Sequence, residues 1–412
     1  MNPAETASTT TPARRRRILV CSPFPPRLDA RHGGKATAQL LLQLAERNDV
    51  ALLCLHEPSM DSVDPAIAAR CAHVDEVPLR ADGALVRRVR WTWGLLRGLP
   101  PWAADCRSDE FSARLERLLE EWRPDVVEIH LQAMAQYVEP LGNRDVGKIL
   151  LDYDPASAWA EEMARTASGL RRVARWIEVL AWRRHERATR PRFDAIVVFA
   201  ERDLADVGPT AGDARLLRIP LAVDVPAEPL DALGTEPPTI LFFGSFGHHP
   251  NVDASLWLAQ DIFPRVLERA PHARLELVGQ EPPDEIRALE TEAIAVHGSV
   301  PEMTPFIDRA AVVVAPIRLG GSMRMKVLET LAAGKALVAT PRAAEGVEAT
   351  AGEHYLLTQD EDSIVEALTR LVEDPEARQA LGRSARVWAE ANLGWGRGVR
   401  AFEQLYDELR AK

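Results

Sequence analysis

Short apolar, β-branched runs alternate with amphipathic helical patterns along almost the whole chain, and this alternation limits the fold more than any other feature. A strand followed by a helix and another strand crosses over to pair in parallel, and a parallel sheet needs helices on both faces to bury it. In the first half the strand patterns fall at 17–24, 49–56, 125–131, 148–152, 195–199 and 215–219, with helices such as 37–47 and 110–122 between them. In the second half they fall at 239–243, 274–278, 293–297, 311–315, 336–340 and 354–357, with helices at 252–269, 284–290, 305–309, 322–333 and 362–372. The fold class this predicts is α/β, built from doubly wound Rossmann-like sheets. A chain of 412 residues is too long for one such core, so two domains are expected. The segment VPAEPLDALGTEPP at 225–238, with four prolines and one glycine, has a linker's composition. The expected organisation is a disordered tail over 1–13, a first domain over 14–224, the linker at 225–238, a second domain over 239–395, and a closing helix over 396–412 packing back on the first domain.

Composition narrows the class further. With 46% hydrophobic and 27% charged residues the chain can bury large cores. No apolar run approaches the roughly 18 residues of a membrane-spanning helix. The arginines at 14–17 precede an apolar run that meets Pro23 too soon for a signal-peptide core, so a cytoplasmic protein is expected. Cys21, Cys54, Cys71 and Cys106 show no C-x-x-C spacing and read as buried free thiols. The net charge of −11 is uneven: residues 1–220 carry 32 basic and 31 acidic groups, the remainder 18 and 30. The first half is therefore the one suited to meet something anionic. No nucleic-acid partner is expected.

Ligands of open α/β sheets bind at the carboxyl ends of strands, so chemistry is sought in the loops that follow them. The richest stretch is 311–340, AVVVAPIRLGGSMRMKVLETLAAGKALVAT. A buried strand runs into a Gly320-Gly321 turn and then a helix whose expected N-cap is Ser322. Free N–H groups at such a terminus, with the positive end of the helix dipole, suit an anion. Arg324 and Lys326 place cations in the first turn, where the dipole favours carboxylates, and that placement makes sense beneath a diphosphate. Glu329 follows Ser322 by two helical turns on the same face, about 10 Å along the axis. A plainer reading makes Lys326 and Glu329 a surface ion pair contributing about 0.2–0.5 kcal/mol.

The order TILFFGSFGHHPNVDA, LELVGQEP, IAVHGSVPEM, VVVAP…GGSMRMKVLETLAAGKALVAT and DEDSIVEALTRLVEDPEARQALGRSAR resembles that of the retaining glycosyltransferases of family four, which have the two-domain GT-B fold. The first half matches in outline. The resemblance puts Glu329 on the second glutamate of the family's E-x7-E motif, which holds the donor ribose. It implies donor contacts from Gly33 and Gly34, from Gly244 at the start of GSFGHHPNVDA, from Ser299 and Val300, from Gly320, Gly321 and Ser322, and from Glu345. His130 falls where the family carries a cleft histidine; a strand histidine can equally be a satisfied core residue. Lys35 would face phosphates and acceptor. Asp152, with Asp154, could bind acceptor hydroxyls or cap the next helix.

There are two departures. Gly321 stands where the first glutamate of E-x7-E would fall. The loop GSFGHHPNVDA lacks the family's arginine and lysine for the diphosphate, a charge that Arg324 and Lys326 can supply. The resemblance implies a metal-independent, hexosyltransferase-like transfer with retention, as in polysaccharide biosynthesis. No cofactor is implied beyond a UDP- or GDP-linked nucleotide sugar as co-substrate. The acceptor is a glycan, a lipid-linked saccharide or a small molecule. A non-catalytic nucleotide-sugar-binding protein and a nucleotide-sugar epimerase of the same fold are the alternatives. The basic, tryptophan-bearing segment 169–192 could touch anionic lipid at the inner face of a membrane; the preferred reading is a helix packing Trp176, Leu180 and Trp182 partly inward.

Overall fold

A computed structural model describes residues 15–28, 33–79, 82–220, 222–320 and 325–410. Its first sheet comprises β1 (Arg17–Ser22), β2 (Asp49–His56), β3 (His73–Pro78), β4 (Val126–His130), β5 (Gly147–Leu151), β6 (Ala195–Val198) and β7 (Arg215–Arg218), in the order β3-β2-β1-β4-β5-β6-β7. All its pairings are parallel, Ile18 lying opposite Val50 on one side and Val126 on the other. The second sheet comprises β8 (Thr239–Phe243), β9 (Arg274–Val278), β10 (Ile294–His297), β11 (Val312–Ala315), β12 (Leu337–Ala339) and β13 (Leu356–Leu357), also parallel, in the order β10-β9-β8-β11-β12-β13.

Burial on both faces explains the apolar runs. Leu19 and Cys21 of β1 point into one core with Phe111 and Ile129, whereas Ile18 and Val20 point into the other with Leu41 and Phe402. Cys21, Cys54 and Cys106 are buried, Cys71 is half-buried, and all four are free thiols. The strand β3 has no counterpart among the expected strands. Its sequence HVDEVP is an edge strand with only Val77 fully buried.

The chain passes between the domains twice, at one place. After β7 it crosses near Val223, whose N–H donates to the carbonyl of Leu393 at 3.1 Å. The helix Trp395–Arg410 then returns to the first domain and buries Val399, Phe402, Leu405 and Tyr406 against Ile18 and Val126. Asp224 joins the two passages, accepting from Trp395 Nε1 at 2.8 Å and from Gln39 Nε2 at 2.5 Å. The proline-rich segment that follows is held to the second domain. Leu230 N–H donates to Ala333 O, Thr235 N–H to Arg309 O, and Lys335 Nζ to the carbonyls of Asp231 and Asp308.

Candidate functional site

In each sheet the strand order reverses beside its first strand, between β1 and β4 and between β8 and β11. The loops at these two switch points open a crevice at the carboxyl ends of the strands. Gly33 and Gly34 lie at the end of the loop after β1 and form the first residues of the helix Gly33–Arg47 rather than a separate turn. From its first turn Lys35 Nζ reaches across to Glu329 Oε1, at 2.7 Å, on the helix Met325–Ala332. Lys35 and Glu329 thus meet in one cross-domain ion pair.

A second bridge forms at Gly320. Glu162, on the first-domain helix Ala156–Thr166, accepts from the Gly320 N–H at 2.6 Å and from Arg342 Nη2 at 3.1 Å. Gly320 has φ +81°, and a Cβ there would lie 2.6 Å from Pro250 Cγ, so only glycine fits. Glu345 accepts from Arg342 at 3.1 Å and, across the domains, from Arg202 at 2.8 Å. Arg218 and Glu348 add a further cross-domain pair at 2.8 Å. Glu162, Arg202 and Arg342 carry no motif; only the fold brings them to the strand ends.

Lys326 runs under the loop after β8. Its Nζ donates to Asn251 Oδ1 at 2.7 Å and lies 4.1 Å from the centre of the Phe242 ring, while Asn251 Nδ2 donates to Ser245 O at 2.8 Å. Gly244 packs on Gly279, where a Cβ would fall 1.9 Å from the Gly244 carbonyl oxygen. A cation is therefore held beneath GSFGHHPN, the loop that carries none of its own. Gly321, Ser322 and Arg324 lie outside the described residues. Ser299 is exposed and Val300 half-buried, both past the edge strand β10.

Two expectations change. His130 is 1% exposed, with Nδ1 3.2 Å from Tyr153 Oη and 3.4 Å from Thr37 Oγ1, and Nε2 3.3 Å from Glu128 Oε2. Tyr406 donates to the other Glu128 oxygen, so the histidine belongs to a satisfied core network. Asp152 is also fully buried, 2.7 Å from the equally buried Arg190, which donates further to Gln132 and Thr210 and lies 3.4 Å from Glu186. Burial pushes the Glu186 carboxyl upward and holds His185, beside it, down to about 4. Arg190 takes Asp152 Oδ2 while Oδ1 is buried without a hydrogen-bond partner, so the carboxylate is enclosed rather than presented to an acceptor. With both faces of a parallel sheet covered, a strand-end residue can point away from the cleft, and alternation alone does not distinguish the two. Asp152 and Asp154 flank Tyr153 in a carboxylate-x-carboxylate spacing, yet among the described residues no group of three or more His, Cys, Asp or Glu could hold a metal ion.

Residues 237–374 match the family model described as Glycosyl transferases group 1. A glycosyltransferase of Methanocaldococcus jannaschii described as uncharacterized is 24% identical over 92 residues, which is 22% of this chain and 24% of that protein. The chain thus spans about a quarter of the length of the curated relative it matches. Among solved structures, a sucrose-phosphate synthase from Thermosynechococcus elongatus superposes with a TM-score of 0.69 at 17% identity, covering 96% of this chain and 100% of that one. WaaG, a glycosyltransferase involved in lipopolysaccharide biosynthesis, gives 0.65 at 14% identity, covering 95% and 99%. HepE of Anabaena, solved in complex with UDP and glucose, gives 0.63 at 12%, covering 95% and 100%. These likenesses, with the two parallel sheets, show the GT-B fold: two Rossmann-like domains facing across a cleft.

Proposed function

We propose that the protein transfers a sugar from a UDP- or GDP-linked donor to an acceptor hydroxyl, with retention at the anomeric carbon. The observation that carries this reading is the carboxylate of Glu162 on the Gly320 amide and Arg342, at the switch point of the second sheet. One backbone N–H and one guanidinium already hold an anion there, and the carboxylate oxygens stand in for phosphoryl oxygens. The matched family segment, 237–374, contains both donors. A donor diphosphate displaces Glu162, lies over Gly320 and is neutralised by Lys326 from below, with Arg324, two residues earlier in the sequence, as the second cation. Glu329 accepts from a ribose hydroxyl once Lys35 turns to the phosphates or the acceptor.

The acceptor oxygen then bonds to the anomeric carbon on the face from which the diphosphate departs. The carbon–oxygen bond to phosphate breaks, and the acceptor proton passes to the leaving phosphate oxygen. Charge growing on that oxygen meets fixed cations, which is electrostatic stabilisation of the transition state. The acceptor is a glycan, a lipid-linked saccharide or a small molecule.

The test is a panel of UDP- and GDP-sugars in a thermal-shift assay, followed by assay of nucleoside-diphosphate release with candidate acceptors. A donor at 100 times its Kd stabilises by about 2.7 kcal/mol. EDTA should leave turnover nearly intact, because side-chain cations do the work of a divalent ion. No shift with any nucleotide sugar, or activity lost to chelator and restored by magnesium, would count against the reading. Within the same assay, Glu329→Gln should weaken donor binding by about 1 kcal/mol, the difference between a charge-assisted and a neutral hydrogen bond. Unchanged affinity by calorimetry would remove Glu329 from the ribose subsite.

A further inference from the structure

Most of the large apolar side chains left exposed among the described residues belong to two helices of the first domain, Ala84–Leu96 and Gly169–Thr189. On the first, Leu85 is 76% and Leu96 75% exposed; on the second, Leu170 is 89% and Leu180 62% exposed. The expectation that Leu180 packs inward is thus corrected, whereas Trp182 is buried. The two helices are neighbours. Trp102, just past the first, meets Trp182 edge-on at 6.5 Å, and Gly98 packs on the Arg184 side chain.

Basic groups outnumber acidic ones on these two helices. The helix Ala84–Leu96 contains Arg87, Arg88 and Arg90 and no acidic residue. Arg87 and Arg90 pair with Asp105, Arg175 with Glu178 and Arg183 with Glu161. Arg88, Arg97, Arg171, Arg172 and Arg184 are exposed and form no ion pair among the described residues. An exposed apolar face rimmed by polar groups marks an interaction surface. Leucine, valine and tryptophan interleaved with unpaired arginine suit a partner that is apolar inside and anionic at its surface, because arginine stems lie along apolar material while their heads reach phosphate.

We propose that this paired-helix face docks on a membrane surface containing anionic lipid, with both helices lying in the headgroup layer. The inference does not depend on the transferase reading. If the cleft does transfer sugar, docking favours acceptors held in that membrane, since the helix Gly169–Thr189 packs on the helix Ala156–Thr166, whose Glu162 reaches the cleft.

The test is vesicle flotation of the full chain with neutral phosphatidylcholine liposomes and with liposomes containing phosphatidylglycerol. Wild type is expected to partition on the order of tenfold more strongly to the anionic vesicles, with the excess falling as salt rises. Arg171→Glu with Arg172→Glu should abolish that excess. Leu96→Ser, Leu170→Ser and Leu180→Ser together should lower partitioning about tenfold without moving the melting temperature, because all three side chains are in solvent. Nucleotide-sugar stabilisation should be unchanged in both variants, so failure of docking and failure of the transferase reading are told apart. Absent binding by wild type, or equal binding by wild type and variants, overturns the proposal. So does self-association without vesicles that the same substitutions abolish, which would assign the face to a second copy of the chain.

Discussion

Lys326→Ala is expected to lower turnover by about 10²–10³ while the melting temperature of the unliganded protein moves little. The first half follows from charge. A departing diphosphate needs neutralisation, and removing one fixed positive contact to a developing charge in a dry cleft costs about that much. The second half follows from two contacts that Lys326 makes without ligand, with Asn251 Oδ1 and the Phe242 ring. Losing a hydrogen bond to a neutral acceptor and a half-exposed cation–π contact costs about 1–2 kcal/mol together. The surface-pair reading of Lys326 with Glu329 differs in turnover, which it leaves normal, with a stability change under about half a kcal/mol. Already the structure turns Glu329 toward Lys35 instead. Near-normal turnover in the purified variant would sink the leaving-group role.

The second large effect is on stability. Asp152→Ala should destabilise the protein by about 3–5 kcal/mol, because it leaves Arg190 buried and short of a counter-charge. Glu186, 3.4 Å away, offsets part of this, and its carboxyl is itself held upward by burial. Asp152→Asn keeps a hydrogen-bond acceptor for Arg190 and should cost less. Denaturant unfolding of both variants decides the matter. A wild-type midpoint combined with a raised KM for acceptor would instead restore Asp152 to the cleft.

The strands were legible where both faces are covered, because burial on two sides demands an apolar run; β8 and β9 match their expected bounds residue for residue. The strand β3 was not, since its half-exposed edge position admits His73, Asp75 and Glu76. The expected helix over 252–269 holds Pro264, and a π-helical turn, Leu258–Ile262, precedes it. Composition marked residues 225–238 as a break between domains, but not that Leu230 and Thr235 would be pinned to the second one. At the strand ends, Gly320 and Glu329 leave a local pattern in the sequence, a glycine where the backbone needs a positive φ and a residue at helical spacing. Glu162 could not: its partners lie 158 and 180 residues away, and nothing around it but an amphipathic helix signals the contact.

Asp224 ties the outgoing passage of the chain to the returning one. Two anchored passages side by side act as the paired leaves of a door hinge. Rotation about the line joining them stays soft, while sliding and twisting of one domain over the other are resisted. A contact then moves in proportion to its distance from that line.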